Sequence, residues 1–181
     1  MPIRVDAYIT GGMASGLLAR SGHLRDALED GPSLDLERST WHALDATTAR
    51  PAGELSIPID DVLVAVADDD PTIPVHASWH AIRLEVGPYR VEGELPTLPG
   101  YDPGRALARP TGEFVMLKDV RLALLDDPGP GTPIGGHALV NRYGVERVTA
   151  DIMLGFFFPG AVMDGLEDGD ETSPAPAGAA G

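Results

Sequence analysis

Polar and apolar residues alternate along much of the chain, which predicts a mostly β protein. The alternation is clearest in segments 4–10, 82–86 and 120–124. A period of two places successive side chains on opposite faces of a strand, so each segment is expected to bury one face. One segment in each half is instead a candidate helix. The first, His23 to Asp30, contains good helix formers and stops at Gly31-Pro32, which predicts one or two helical turns; its counterpart, 102–107, is poorer in helix formers.

The pattern of segments occurs twice, in a first unit from residue 3 to 66 and a second from 82 to 156. The offset between matched positions grows from 76 to 90, as loop insertions between matched strands would produce. The matched positions are Gly11, Gly16, 27–28, Leu34 and 61–66 in the first unit, opposite Gly87, Gly93, 106–107, Val115 and 151–156 in the second.

The glycines inside the strand segments indicate the shape of each unit. Gly16 and Gly93 lie within apparent strands, where a glycine marks a sharp bend or a bulge, and strongly bent strands can close a small sheet. We therefore expect a tandem pair of small antiparallel β-barrels with short helical turns. Their expected bounds are 1–67 and 75–160, with a linker at 68–74 and an acidic disordered tail at 161–181.

Two resemblances agree with this fold. Gly16, then His23-Leu24-Arg25-Asp26-Ala27-Leu28-Glu29 and a late apolar strand, resemble an uncharacterised bacterial family of short β-domains with a Gly-x-Leu, Arg-Leu-Ser-Asp-x-Leu-Asn, Phe-x-x-Leu pattern. Segments 82–86 and 91–95 are more distantly similar to Sm-like barrels, which implies a small β-barrel fold. The RNA-contacting Asn of the first Sm motif and the Arg-Gly of the second have no match in this chain.

Composition narrows the classes of function. The chain has no cysteine, and its N-terminus lacks the pattern of a secretory signal, so we expect a soluble, cytoplasmic protein without disulfides. No stretch approaches the ~20 apolar residues of a membrane span, so no membrane is expected as a partner. The net charge is −15, and because the last 18 residues hold five acids and no base, residues 1–163 still carry −10.

The candidates for metal binding and catalysis are weak. His76 and His80 share a face of a predicted strand, but about 13 Å would separate their Cα atoms, too far for joint ligation of one ion. The carboxylates of 68–70 lack the spacing of a calcium loop and are interpreted as a solvated linker. Ser15 has no nucleophile-elbow context, and the Gly-rich segment 129–136 lacks the Lys of a phosphate loop. We therefore assign no catalytic residue, no cofactor and no metal.

Three consecutive aromatic residues are the candidate interface. If Phe156, Phe157 and Phe158 continue the last strand, Phe157 points away from its two neighbours, and one barrel core cannot bury both faces. A second copy or another protein is one candidate partner for this surface. Packing of the aromatics within the chain is the alternative.

The sequence thus favours a non-enzymatic intracellular module for binding, scaffolding or regulation. Two alternatives stay open: an Sm-like RNA-binding protein, and an enzyme whose site is assembled from dispersed carboxylates and histidines. Nucleic acid is the less favoured partner, because phosphate binding draws on clustered Lys and Arg, and no basic run stands out in this acidic chain.

The charge generates a first prediction. Because binding to polyanions depends on neutralising phosphates, we expect no measurable binding to U-rich single-stranded RNA or to duplex DNA at physiological salt. Fluorescence anisotropy with labelled oligonucleotides measures this. Submicromolar RNA binding that weakens as salt rises would instead favour the Sm-like RNA-binding alternative.

Overall fold

The structure is a computed structural model in which residues 2–19, 22–69, 76–97, 112–152, 154 and 157–165 are described. Of these, 62% lie in strands and 6% in helices, which confirms the mostly β class. In chain order the elements are β1 (Arg4–Ile9), β2 (Gly12–Leu18), α1 (Leu24–Glu29), β3 (Ser33–Ala43), β4 (Arg50–Pro58), a 3-10 turn (Ile59–Asp61), β5 (Val64–Ala67), β6 (Ser78–Val86), β7 (Tyr89–Thr97), β8 (Phe114–Leu124), β9 (Thr132–Asn141), β10 (Val145–Ala150) and β11 (Val162–Gly165).

All of these strands belong to one open sheet. Its order is β11-β10-β6-β7-β8-β9-β5-β1-β2-β3-β4, and every neighbouring pair is antiparallel except β10 and β11. The expected pair of closed barrels is therefore wrong. To close the second unit, β9 would have to pair with β10, but it pairs with β5 of the first half instead.

The first five strands and the next five follow the same order. The order β5-β1-β2-β3-β4 in the first half corresponds to β10-β6-β7-β8-β9 in the second. Each half begins with a two-residue hairpin turn, Thr10-Gly11 in the first and Gly87-Pro88 in the second. Gly12 is therefore the first residue of β2 and not part of the turn, because it already pairs with Ile9.

The last strand of the second half does not lie where the apolar pattern predicts it. β10 pairs with β6 as β5 pairs with β1, so the strand is 145–150 rather than 151–156. The apolar pattern does not predict this strand, because it is interrupted by Glu146 and Arg147. Of the apolar run that follows, none of the described residues lies in a strand, and Leu154 is fully buried.

The structure describes only part of the predicted helical segments, linker and tail. Helix α1 confirms the helical segment of the first half. The counterpart at 102–107, residues 70–74 of the linker and residues 166–181 of the tail lie outside the described residues. The tail was expected to begin at 161, but Val162–Gly165 forms β11 along β10. Among the described residues, no helix has the length and apolar content needed to cross a bilayer.

Two hydrophobic cores lie on the sheet, and β5 contributes to both. Val64 and Val66 belong to the core of the second half. Ala65 belongs to the core of the first half together with α1, and Phe114, Met116 and Leu139 of the second half also pack in this core. Successive side chains on a strand point to opposite faces, so β5 is covered on both sides. The two halves therefore share this strand.

Tyr89 provides a second contact between the halves. Its side chain is 2% exposed, and its hydroxyl donates to the carbonyl oxygen of Ile9 at 2.9 Å and lies 3.0 Å from that of Gly12. Its ring meets the ring of Tyr8 edge-on, with 5.7 Å between centroids. Burial, reinforced by the charge of Asp6, raises the pKa of Tyr8 to about 12. Burial and then the neighbouring Tyr8 also raise the pKa of Tyr89.

Gly16 on β2 and Gly93 on β7 lie where strand pairing shifts by one residue, as in a β-bulge. A Cβ atom on Gly16 would lie 3.0 Å from the Cβ of Leu36, and one on Gly93 would lie 3.0 Å from the carbonyl oxygen of Lys118. The backbone of the next strand thus approaches both glycines closely. The opposing bulge residues, Arg38 and Asp119, have positive φ angles of 50° and 53°.

These contacts predict matched effects of substitution. Gly16→Ala and Gly93→Ala should each lower the free energy of unfolding by about 1–3 kcal/mol, because the added methyl group has no free space. Urea denaturation measures the change. Gly136→Ala is the control, since a Cβ there would have nothing within 4 Å. An effect at only one of the two bulges would contradict their equivalence.

The tyrosine contact predicts a loss of stability at alkaline pH. The unfolded chain releases the Tyr8 proton near pH 10 and the folded chain near pH 12, so the stability is complete below pH 10 and falls as the pH rises through that interval. Melting curves between about pH 9 and pH 11 should show a steeper fall for the native chain than for Tyr8→Phe or Tyr89→Phe. Tyr143→Phe is the control, because Tyr143 is 60% exposed. An equal pH dependence in all four proteins would contradict the prediction.

Candidate functional site

The two halves meet where β5 pairs with β9, and we call this pair the seam. Val64 faces Val140, and Ala65 faces Leu139. The backbone N–H of Asn141 also donates to the carbonyl oxygen of Leu63 at 2.9 Å. The seam therefore joins the sheets of the two halves by backbone hydrogen bonds between residues far apart in sequence.

A pocket of about 120 Å³ lies where α1 meets the seam and β8, and we call it the seam pocket. Its floor is apolar and its rim carries ionisable groups. The floor comprises Leu24, Ala65, Ala67, Met116, Ala138 and Leu139, and the rim comprises His23, Arg25, Asp26, Asp69 and His137. Both halves of the chain supply residues to the floor and to the rim.

Strand periodicity places the pocket residues on the sheet. Ala65 and Ala67 are two residues apart on β5, and His137 and Leu139 are two residues apart on β9, so each pair shares a face. The alanines on β5 project only a methyl group from that face. They leave room between the sheet and α1 that larger side chains would fill.

Helix α1 is held over this face by its apolar side and by a distant carboxylate. Leu24 and Leu28 are 3% and 1% exposed and pack in the core of the first half. The backbone N–H of Leu24 donates to a carboxylate oxygen of Asp69 at 2.9 Å. The interpretation of Asp69 as part of a solvated linker is therefore wrong, because its side chain is 15% exposed and accepts a hydrogen bond from the first residue of α1.

Arg25 connects the helix to the second half. Its guanidinium group donates to the carboxylate of Glu29 at 2.8 Å and to the carbonyl oxygen of Phe114, on β8, at 3.3 Å. The positive charge of Arg25 is therefore already partnered within the chain. Asp26 is exposed at the rim.

The rim is mainly a source of hydrogen bonds and negative charge. Nδ1 of His23 lies 3.8 Å from a carboxylate oxygen of Asp69, and the His23 side chain is 67% exposed. Asp26 and Asp69 are acidic, whereas the charge of Arg25 is offset by Glu29. The pocket therefore favours an apolar group whose surroundings are neutral or positively charged.

Among the described residues that line the pocket there is no Ser, Thr, Cys or Lys to act as a nucleophile. Nor do the described parts of the chain contain a group of three or more His, Cys, Asp or Glu side chains placed to hold a metal ion. What the pocket offers chemically is an apolar surface ringed by polar groups. Such an arrangement is suited to binding.

His76 and His80, the pair considered from the sequence as metal ligands, do not line this pocket. His80 on β6 has Nε2 3.0 Å from the hydroxyl of Thr97 and Nδ1 4.0 Å from a carboxylate oxygen of Asp151. His76 is exposed in the turn that precedes β6. The two histidines thus have different surroundings.

The candidate interface of three aromatics is corrected where the structure describes it. Phe156 lies outside the described residues. Phe157 and Phe158 are 8% and 0% exposed and both belong to the core of the second half. The premise that they continue a strand is wrong: the chain turns here, and the N–H of Phe157 donates to the carbonyl oxygen of Leu154. A turn lets consecutive side chains enter one core.

Sequence reasoning missed the seam pocket because its parts look unremarkable in isolation. His23 and His137 each appear alone, and Asp69 lies in an acidic run. The one available signal is the i, i+2 spacing of small and polar residues on β5 and β9. That spacing does not reveal which strands are neighbours.

Comparisons with known proteins add nothing to this geometry: no family model, no curated protein and no solved structure matches the chain.

Proposed function

We propose that this protein is a non-enzymatic binding module that recognises a segment of a protein partner in the seam pocket. We also propose that its halves are two copies of one five-stranded, Sm-like unit. The observation that carries the function is the pocket itself, in which both halves supply an apolar floor and an ionisable rim. Two copies of one unit have the same two edges. Duplication therefore explains why β9, at one edge of the second half, can pair with β5, at the opposite edge of the first half.

The duplication is supported by more than strand order. β3 and β8 are both 11 residues long and begin 81 residues apart, at Ser33 and Phe114. The bulge glycines, Gly16 and Gly93, face equivalent places on these two strands. Independent strands would have no reason to share length, bulge position and neighbours.

The size of the pocket limits what it binds. A volume of about 120 Å³ is somewhat smaller than an apolar cavity of ~150 Å³ that binds benzene, so it suits one aliphatic side chain rather than a nucleotide or an extended cofactor. Pocket residues such as Met116 and Leu139 are each 8% exposed, so they present a shallow apolar surface. The ligand is therefore a side chain that projects from a larger partner.

Charge indicates the character of that partner. The chain has a net charge of −15, and two of its carboxylates, Asp26 and Asp69, lie on the rim next to the apolar floor. Several basic side chains elsewhere pair with carboxylates, including Arg83 with Glu92 at 3.0 Å and Lys118 with Glu94 at 2.8 Å. A basic segment with one aliphatic residue therefore complements the surface, since opposite charges favour encounter and orientation.

NMR titration with two end-blocked tripeptides tests this function. Lys-Leu-Lys should shift the backbone amide signals of Ala67, His137 and Leu139, and the shifts should shrink as salt rises. Glu-Leu-Glu, which has the same central side chain, should shift them far less. No change at these amides with Lys-Leu-Lys at millimolar concentration would contradict the proposal.

A filled pocket provides the matched control. Ala67→Leu places an aliphatic side chain where the ligand would lie, so binding should weaken about tenfold or more, as expected when a leucine side chain loses its buried position. Ala81→Leu makes the same change at an exposed position on β6 and should bind like the native chain. Equal binding by both variants would show that the peptide binds elsewhere.

A further inference from the structure

The seam shows how one half of this molecule receives an edge of the other. At the seam, β9 of the second half adds to β5 of the first. By the shared strand order, β4 occupies in the first half the place of β9, and β10 occupies in the second half the place of β5. A second copy of the chain would thus extend the sheet by adding its β4 to β10. Repetition of such a head-to-tail contact produces rings or filaments.

The first obstacle to this extension is β11, which covers the outer edge of β10. Arg147, Val148, Thr149 and Ala150 pair with Val162, Met163, Asp164 and Gly165. This parallel pairing uses the backbone groups that a second copy would need. The chain therefore blocks its own β10 edge.

The cover is short and lightly held. Val162 is 53% exposed, and Met163 is the one apolar side chain of β11 that packs, partly buried, against the core of the second half. The side chain of Asp164 accepts a hydrogen bond from Arg147 at 2.5 Å, and this bond raises the pKa of Arg147. Exposed ion pairs of this kind add little stability. Removing β11 should therefore leave the rest of the sheet folded.

The second obstacle is Pro58, the last residue of β4. Pro58 pairs with Ser33 at the start of β3 as Asn141 pairs with Phe114 at the start of β8. Asn141 is the residue whose N–H donates across the seam to Leu63. Proline has no N–H, so β4 cannot form the equivalent hydrogen bond. A contact between β4 and β10 would therefore have one hydrogen bond fewer than the seam, which is itself short.

We propose that β11 and Pro58 together stop the sheet at two units, and that β10 is a concealed docking edge for β4 of a second copy. This inference rests on the duplicated strand order of the proposed function but not on the seam pocket. The chain as it stands is then a monomer whose assembly is blocked at both ends. Displacement of β11 is the step that exposes the docking edge.

Shortened chains test the proposal by light scattering coupled to size-exclusion chromatography across a range of concentrations. One variant ends at Gly160, which removes β11 but keeps Phe157 and Phe158, and it is made with and without Pro58→Asn. The control ends at Gly165, which keeps β11 and removes only the residues beyond it. Circular dichroism and melting curves confirm that each variant is folded.

We expect the native chain, the Gly165 control and Pro58→Asn alone to be monomers. The chain ending at Gly160 should self-associate weakly, and the combination with Pro58→Asn should associate at least tenfold more tightly, because the lost hydrogen bond is restored. This measurement of self-association does not involve peptide binding. A negative result would therefore leave the proposed function of the seam pocket untouched.

Three outcomes would overturn the proposal. The first is a folded double variant that stays monomeric at high concentration. The second is association that Pro58→Asn does not strengthen, which would indicate that β10 pairs with β10 of the other copy instead. The third is a native chain that already assembles and whose assembly is unchanged in the Gly165 control, since β11 would then not prevent contact.

Discussion

The backbone pairing of β5 with β9 is the constraint on which the other features depend. It is a short contact, with two facing residue pairs and the hydrogen bond from Asn141 to Leu63. Leu63 also fits against backbone of the second half: a Cβ on Gly87 would lie 2.6 Å from its Cδ1, and one on Gly144 would lie 3.1 Å from its Cδ2. Glycine at both places is therefore part of how the halves fit together.

The seam pocket follows from this pairing rather than from any local motif. Joining the halves brings α1 over strands that are distant in sequence, and the small side chains of β5 leave space beneath the helix. Asp69 then completes the start of α1, and Arg25 reaches Phe114. A site of this kind exists only in the assembled chain, since each half alone would present an incomplete surface.

The alternation of residues was sufficient to predict the mostly β class and strands such as β1 and β6. The helix formers before Gly31-Pro32 were sufficient to predict α1, because both signals are local. The merging of the two sheets could not be predicted in the same way. It depends on whether β9 closes on its own unit or on β5, and both pairings satisfy the same alternation. β10 was misplaced because Arg147 faces solvent within a half-buried strand, whereas the apolar residues after it turn into the core.

A strand that serves two cores has a consequence for folding. Val64 and Ala65 are adjacent in the chain, yet they pack in different cores, and both are fully buried. If either half opened alone, it would strip one face from β5 and expose the core of its neighbour to water. The two halves therefore act as one cooperative unit, and their formation must await contacts between distant parts of the chain, which slows folding relative to a unit closed by local contacts. Because both halves bury one face of β5, they form a single thermodynamic unit.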